Sequence, residues 1–387
     1  MKVQHVFNRH RGGGGSDNAW AETIRLSREA GVDVVTFERD SREISGFRAK
    51  VGAFASGIYS RHAVQDFADC LARERPDVVH THELYPLISP WILPVCAEAG
   101  IPVVHSCYDF RLTCPIATHA RAGAVCTDCI DRSEISALLH NCRGNVAESA
   151  AYAIRNGIAR GTRLFQRHVS RFVVLTDFSR DWLAANAAIA PGRIAVIPPA
   201  VDASSDPVDP AGGAYVAFAG RPVPEKGAHL LVEALRGSGI PLKLAINEPR
   251  FEAIRPGDLV ECVPTANREE LRAFYRGARM LVVPSLWFET FALVAAEAMA
   301  EGIPVVASRI GALQDTVKDD ETGLLVAPGD TTGLREAIQR LWSDDELACR
   351  LGQAAHRRVA SDFSPEQHVA RLGQIYDEAL RSPRLAA

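Results

Sequence analysis

Short apolar runs bounded by turn residues alternate with amphipathic stretches along this whole chain, and that alternation restricts its fold more than any other feature. Such a pattern builds parallel sheets covered by helices on both faces. In the first half the runs predict strands at Val3–Phe7, Val32–Thr36, Val78–His80, Val103–His105, Phe172–Leu175 and Ile194–Ile197. In the second half they fall at Tyr215–Ala219, Leu242–Ile246, Leu259–Cys262, Met280–Val283, Val305–Ala307 and Leu324–Val326. Between the halves, Pro198–Gly213 is rich in Pro, Asp, Ser and Gly and lacks periodicity, which marks it as a linker. At 387 residues the chain exceeds what one hydrophobic core usually organises. The expectation is an α/β protein of two Rossmann-like domains, residues 1–200 and 201–364, with a final amphipathic segment over 365–387. Two such sheets facing each other would form a cleft at their strand C-termini, where open α/β sheets bind ligands.

Apolar residues make up 47% of the chain and charged residues 23%, with a formal net charge of -4. That balance describes an ordinary globular chain and gives no electrostatic pull toward nucleic acid, so nucleic acid is excluded as a partner. No apolar run is long enough to span a membrane, and Met1-Lys2 leads straight into a strand rather than a signal peptide. The expected location is the cytoplasm, free or at the inner membrane surface.

The densest chemistry lies in Pro284–Ala307. Glu289 and Glu297 stand eight residues apart, across a loop that enters a helix over Phe291–Ala300. The first N–H groups of a helix lack intrahelical partners and carry partial positive charge, which suits a phosphate. Upstream, Gly220-Arg221-Pro222-Val223-Pro224-Glu225-Lys226-Gly227 follows a strand, and Arg221 and Lys226 are the cations that can reach a diphosphate there.

These segments resemble the retaining glycosyltransferases of family 4, whose fold is GT-B. The family's G-R-x(n)-E-K-G segment is followed by E-x-F-G-L-x-x-x-E, matched here by Glu289, Phe291, Ala292, Leu293 and Glu297, with Ala292 in place of the usual glycine, a small change in the sequence. Gly302-Ile303-Pro304-Val305-Val306-Ala307-Ser308, Gly311 and Thr322-Gly323-Leu324-Leu325-Val326 match the features that come next. The resemblance implies that Arg221 and Lys226 neutralise the diphosphate of a nucleotide sugar and that Glu297 holds the ribose hydroxyls. It implies that Glu289 contacts the donor sugar or orders its loop, and that the N–H groups of Phe291, Ala292, Leu293 and Val294 cradle phosphate. It also implies catalysis without a metal at the diphosphate, and a last helix that returns to the N-terminal domain. UDP and GDP donors both stay open, with UDP favoured by family frequency; the base-reading loops include Asn247-Glu248-Pro249 and Val263–Ala266.

In the first half, a glycine loop, Gly12–Gly15, follows the first strand; without Cβ atoms its backbone can approach a phosphate or sugar, Gly14 and Gly15 most directly, or it can be a plain connector. His80, His82 and Glu83 end the third strand as HxHE, which reads as a cleft wall or, less favoured, a metal site. Tyr108 stands where many family members have histidine; with Asp109 it is expected to line the site, while His82, His105 and Arg111 face the acceptor. His105 reads equally as a buried core histidine.

Four of the nine cysteines, Cys114, Cys126, Cys129 and Cys142, form C-x11-C-x2-C-x12-C, a pattern that fits a structural zinc ion in an insert over 114–142. An iron–sulfur cluster or unligated thiols are the alternatives. From Ser149 to Thr176 there is no acidic residue, and Arg155, Arg160, Arg163, Arg167 and Arg171 recur at helical intervals. A basic helix over 155–171 can lie on anionic lipid, meet an anionic acceptor, or be a solvated face. The resulting expectation is a retaining glycosyltransferase that moves a sugar from a nucleotide diphosphate sugar to a hydroxyl of a glycan, lipid-linked sugar or secondary metabolite. Its rivals are an inactive nucleotide-binding scaffold and a glycoside hydrolase using Glu289 and Glu297 as its carboxylate pair.

Overall fold

The computed structural model describes residues 1–10, 14–43, 58–246, 252–255 and 257–382. Gly12, Gly13 and the Asn247-Glu248-Pro249 loop lie outside the described residues. All twelve expected strands form. They are β1 (Lys2–Arg9), β2 (Asp33–Asp40), β3 (Val78–Thr81), β4 (Val103–Ser106), β7 (Arg171–Val174), β8 (Ile194–Val196), β9 (Tyr215–Ala219), β10 (Leu242–Ala245), β11 (Val260–Cys262), β12 (Ala278–Val283), β13 (Val305–Ser308) and β14 (Gly323–Val326). A small antiparallel hairpin, β5 (Ala120–Arg121) with β6 (Ala124–Val125), was not foreseen.

The chain divides into two compact units. One comprises Met1–His119, Thr127–Ala200 and His368–Ala387, the other Ala120–Cys126 and Val201–Gln367. The insert was expected to lie wholly within the N-terminal domain; its hairpin segment Ala120–Cys126 instead groups with the second unit. The first unit holds a parallel sheet in the order β2-β1-β3-β4-β7-β8, the second one in the order β11-β10-β9-β12-β13-β14. In each, the chain leaves a central strand to one side and later returns to its other side. This places a switch point between β1 and β3 in one sheet and between β9 and β12 in the other, and the crevice beyond such strand ends is where a ligand finds unobstructed backbone.

The strands read as continuous apolar runs because both faces are covered. In the first unit, Val3, Val78, Val104, Val173 and Ile197 meet Leu372, Ile375, Tyr376 and Ala379 of the final helix, Pro365–Arg381. The opposite face packs Val6, Val79, Val103 and Phe172 against Phe67, Leu93 and Phe165. In the second unit, Val216, Phe218, Leu244, Met280 and Val306 form the core with Leu231, Leu334, Ile338 and Leu351. Among the described residues no helix is long and apolar enough to cross a membrane.

The basic stretch does not form one helical face. The helix Val146–Gly161 ends at Thr162, Arg163 has a left-handed backbone, and a short helix, Leu164–His168, follows. Arg155 is buried, with its guanidinium carbon 3.9 Å from the ring centroid of Tyr85 and 4.3 Å from that of Tyr152. Arg160 pairs with Glu134 at 2.7 Å, and Arg171, on β7, pairs with Glu378 at 3.3 Å. The helical spacing in the sequence therefore does not translate into an exposed cationic stripe.

Candidate functional site

At the switch point of the second sheet, two loops are fastened together. Leu286 donates its N–H to the Glu225 carbonyl at 2.8 Å, joining the segment after β12 to the segment after β9. Gly227 closes the latter with a left-handed backbone, φ 72°, and a Cβ there would sit 2.0 Å from the Pro284 carbonyl oxygen. Both the conformation and the close approach demand glycine. Gly311, also left-handed, lies against the Phe288–Glu289 backbone, where a Cβ would be 3.1 Å from Phe288 Cα.

This frame carries Glu289, which is 8% exposed. One carboxylate oxygen, Oε1, accepts from Lys226 Nζ at 2.7 Å, Ser285 Oγ at 2.7 Å and Trp287 Nε1 at 2.9 Å. Burial opposes ionisation of Glu289, but the Lys226 charge and the three donors outweigh it and hold the carboxyl below its ordinary range. Lys226 is thus not an isolated cation: it is aimed by Glu289 and lies over the Trp287 ring, 5.5 Å from the centroid. Arg221 is exposed.

The helix Leu293–Ala300 begins immediately beyond, and no side chain caps it. Its first N–H groups are therefore open to a ligand anion. Ala292, the N-cap, has φ 63° and ψ 69°. The replacement of the family's glycine, small in the sequence, places a Cβ in the left-handed region, where it costs about 1–2 kcal/mol. The Thr316 hydroxyl donates to the Phe291 carbonyl at 2.6 Å and fixes the approach to the helix. Glu297 accepts from Tyr275 Oη at 3.2 Å and lines a cavity with Arg268, Arg272, Glu301 and the linker residues Asp202 and Ser204. Burial raises the Glu297 pKa, opposed by Tyr275 and Arg268.

The switch point of the first sheet is built from neutral groups. His82 bonds His5 through Nε2 at 3.0 Å and Tyr108 Oη through Nδ1 at 2.9 Å. His80 bonds Tyr376 at 2.7 Å and Ser106 at 2.8 Å, and His105 bonds Thr81 at 2.9 Å. Burial holds every one of these imidazoles below its ordinary pKa, to about 3 for His5 and His105. Ligand atoms of His5, His80 and His82 converge within 4.8 Å, so the HxHE histidines meet His5 rather than Glu83. Both ring nitrogens of His80 and of His82 already have partners, which makes this a hydrogen-bonded network as it stands.

Beside the network, a cavity in the first unit brings together His82, Glu83, His105, Tyr108, Asp109 and Arg111. Arg111 is not a free cation for an acceptor: it pairs with Glu83 at 2.7 Å and Asp109 at 2.8 Å. Burial, only partly offset by Arg111, pushes the Glu83 carboxyl up to about 7. His5, Asn156 and Gln166 had no role in the sequence reading, although the last two line the same cavity. Gly14 precedes the helix Gly15–Glu29, and a Cβ on either glycine would meet nothing within 4 Å, so backbone is open to approach there.

In the insert, Cys129 and Cys142 share a small core with Ala137 and Ala153, and Cys114 is buried. Cys126 follows the β5–β6 hairpin.

Two family profiles match consecutive parts of the chain: "Glycosyltransferase Family 4" over residues 13–205 and "Glycosyl transferases group 1" over residues 205–358. The chain is 31% identical over 230 residues to an MMP alpha-(1->4)-mannosyltransferase of Mycolicibacterium hassiacum, which covers 55% of each protein. It is 44% identical over 111 residues to a D-inositol 3-phosphate glycosyltransferase of Corynebacterium efficiens, 29% of this chain and 26% of that one. The matches thus span about half or less of these curated relatives. Among solved structures, sucrose-phosphate synthase of Thermosynechococcus elongatus superposes with a TM-score of 0.70 at 21% identity, over 98% of both chains. Anabaena HepE in complex with UDP-glucose gives 0.66 at 15% identity, over 97% of this chain and 99% of that one. At these identities the likeness concerns the fold.

Proposed function

The chain belongs to glycosyltransferase family 4 and has its GT-B fold, and from that premise we propose that it is a retaining glycosyltransferase moving a sugar from a nucleotide diphosphate sugar to a hydroxyl acceptor. The observation that carries this reading is the Lys226–Glu289 pair set before an uncapped helix N-terminus. A diphosphate leaving group develops charge as the glycosidic bond breaks, and fixed donors aimed at that charge lower the barrier. Lys226 is held in place for it by Glu289, Arg221 supplies a second, mobile cation, and the N–H groups at Leu293 and Val294 complete the cradle. Glu297 is assigned to the ribose hydroxyls, with Tyr275 fixing its carboxylate.

UDP is proposed ahead of GDP as the donor nucleotide; HepE, a neighbour in fold, was crystallised with UDP-glucose. The four-cysteine pattern is proposed to brace the insert through one zinc ion, supported by the shared core of Cys129 and Cys142. Zinc analysis of the purified chain is expected to give one ion per chain, lost on Cys129→Ser. The hydrolase alternative needs two free carboxylates on one bond, whereas Glu289 is committed to Lys226 and Glu297 accepts from Tyr275.

Calorimetric titration with UDP, GDP, ADP and TDP tests the reading. One diphosphate is expected to bind selectively and to lose at least tenfold in affinity in both Glu297→Ala and Arg221→Ala. Binding of none, with no donor turnover, would replace the transferase with a scaffold.

A further inference from the structure

Glu289 shares its hydrogen bonds unevenly between its two oxygens. Lys226 Nζ, Ser285 Oγ and Trp287 Nε1 all reach Oε1, at 2.7, 2.7 and 2.9 Å. Oε2 accepts from nothing among the described residues, and it is not one of the buried atoms sealed from solvent. An ionised carboxylate offers lone pairs on both oxygens, so a full complement of donors on one and none on the other is a biased arrangement.

The three donors differ in what they can fix. An ammonium on a flexible stem is a point charge that meets either carboxylate oxygen, so Lys226 holds Glu289 ionised without choosing which oxygen faces outward. Ser285 and Trp287 do choose. Ser285 is fully buried and donates its hydroxyl to this carboxylate, and the single indole N–H of Trp287 is spent on the same oxygen. Leu286, between them, is tied to the Glu225 carbonyl, which anchors the loop that carries both donors.

We propose that Ser285 and Trp287 are positioning residues of the donor site: by occupying Oε1 together with Lys226, they reserve Oε2 as one oriented acceptor for a hydroxyl of the sugar being transferred. The sugar of a nucleotide diphosphate sugar is bonded directly to its diphosphate, so a carboxylate beside the phosphate cradle lies where the sugar's hydroxyls come within reach. An ionised carboxylate oxygen only accepts, which makes the group it reads a hydroxyl rather than a ring or carbonyl oxygen. The assignment rests on the transferase reading for the identity of the donor. The bias of Glu289 toward one oxygen stands without it.

Calorimetric titration of the full chain tests the assignment, with the diphosphate selected among UDP, GDP, ADP and TDP and with its conjugates of glucose, galactose, N-acetylglucosamine and mannose. The tightest conjugate is then compared with analogues in which fluorine, which cannot donate, replaces each ring hydroxyl of the sugar in turn. In the unaltered chain one of these replacements is expected to weaken binding about tenfold or more, as the loss of a hydrogen bond to a charged group should. Ser285→Ala and Trp287→Phe are each expected to weaken the parent conjugate about fivefold, to leave the bare diphosphate within about twofold, and to shrink the fluorine penalty to about threefold or less, because an acceptor no longer aimed has less to lose. Trp287→Phe, at a half-buried position, carries the test if Ser285→Ala does not fold. The same fluorine penalty in altered and unaltered chains, a loss of bare diphosphate as large as that of the conjugate, or no hydroxyl whose replacement matters would each overturn the positioning role and leave the transferase standing. Failure to bind any diphosphate would overturn both.

Discussion

Both sheets are parallel and turn back beside their first strand, though in different orders, β2-β1-β3-β4-β7-β8 against β11-β10-β9-β12-β13-β14, and their switch points are furnished with different side chains. Beyond β9 and β12, an ionised carboxylate aims a lysine and a helix presents bare N–H groups. Beyond β1 and β3, neutral imidazoles and phenols bond one another, and Arg111 pairs with Glu83 and Asp109. Two parallel sheets thus carry an ion pair before a helix N-terminus at one switch point and a buried imidazole network at the other.

That contrast breaks most visibly in acid. His5 and His105 titrate near 3 in the folded chain against an ordinary value of 6.5, because burial disfavours their charged forms. As pH falls through 6.5 the unfolded chain takes up these protons first, so stability is fully present above that pH and drains away toward pH 3. At pH 5 the two together cost about 4 kcal/mol, and His80 and His82 act in the same direction. Urea unfolding at pH 7 and pH 5 checks the total. Hydrogen exchange, corrected for its intrinsic pH dependence, should show β1, β3 and β4 losing protection before β9 and β12. Equal loss in both sheets would end the contrast.

The charged site is tested by Lys226→Met. Transfer is expected to fall about 10²–10³-fold, and Glu289, left buried without its cation, should rise in pKa and move the acid limb of the pH–rate profile upward. A profile that does not move would mean that Lys226 does not govern Glu289. Next in size is Gly227→Ala, which combines a left-handed backbone with a Cβ against the Pro284 carbonyl. It should cost about 3 kcal/mol in chemical denaturation. The smallest effect runs the other way. Ala292→Gly is expected to stabilise the second unit by about 1 kcal/mol, since it relieves the left-handed N-cap; a destabilised variant would show that the cap is not strained.

The strands were legible because a strand covered on both faces must be apolar throughout, and turn residues mark its ends. The loop at Gly220–Gly227 and the two glutamates were legible for a related reason: their spacing is local. Arg155 was misread because helical spacing reports which residues share a face, not whether that face meets solvent; here it meets Tyr85 and Tyr152. His5 sits unremarked within an apolar run and gains its meaning only when β1 pairs with β3, setting it beside His80 in register. The change at Ala292 looked small because a sequence does not display φ.

The alternation of strands and helices, the division into two α/β halves and the family are all readable in the chain before it folds, since each follows from short-range periodicity or from motifs only a few residues long. Only packing in three dimensions decided which charges pair and which imidazoles are neutral. Those properties arise from burial and from contacts between residues distant in the chain, such as Lys226 with Glu289 and His80 with Tyr376. Burial is fixed only when the layers pack, and burial turns a list of polar residues into a site with a sign.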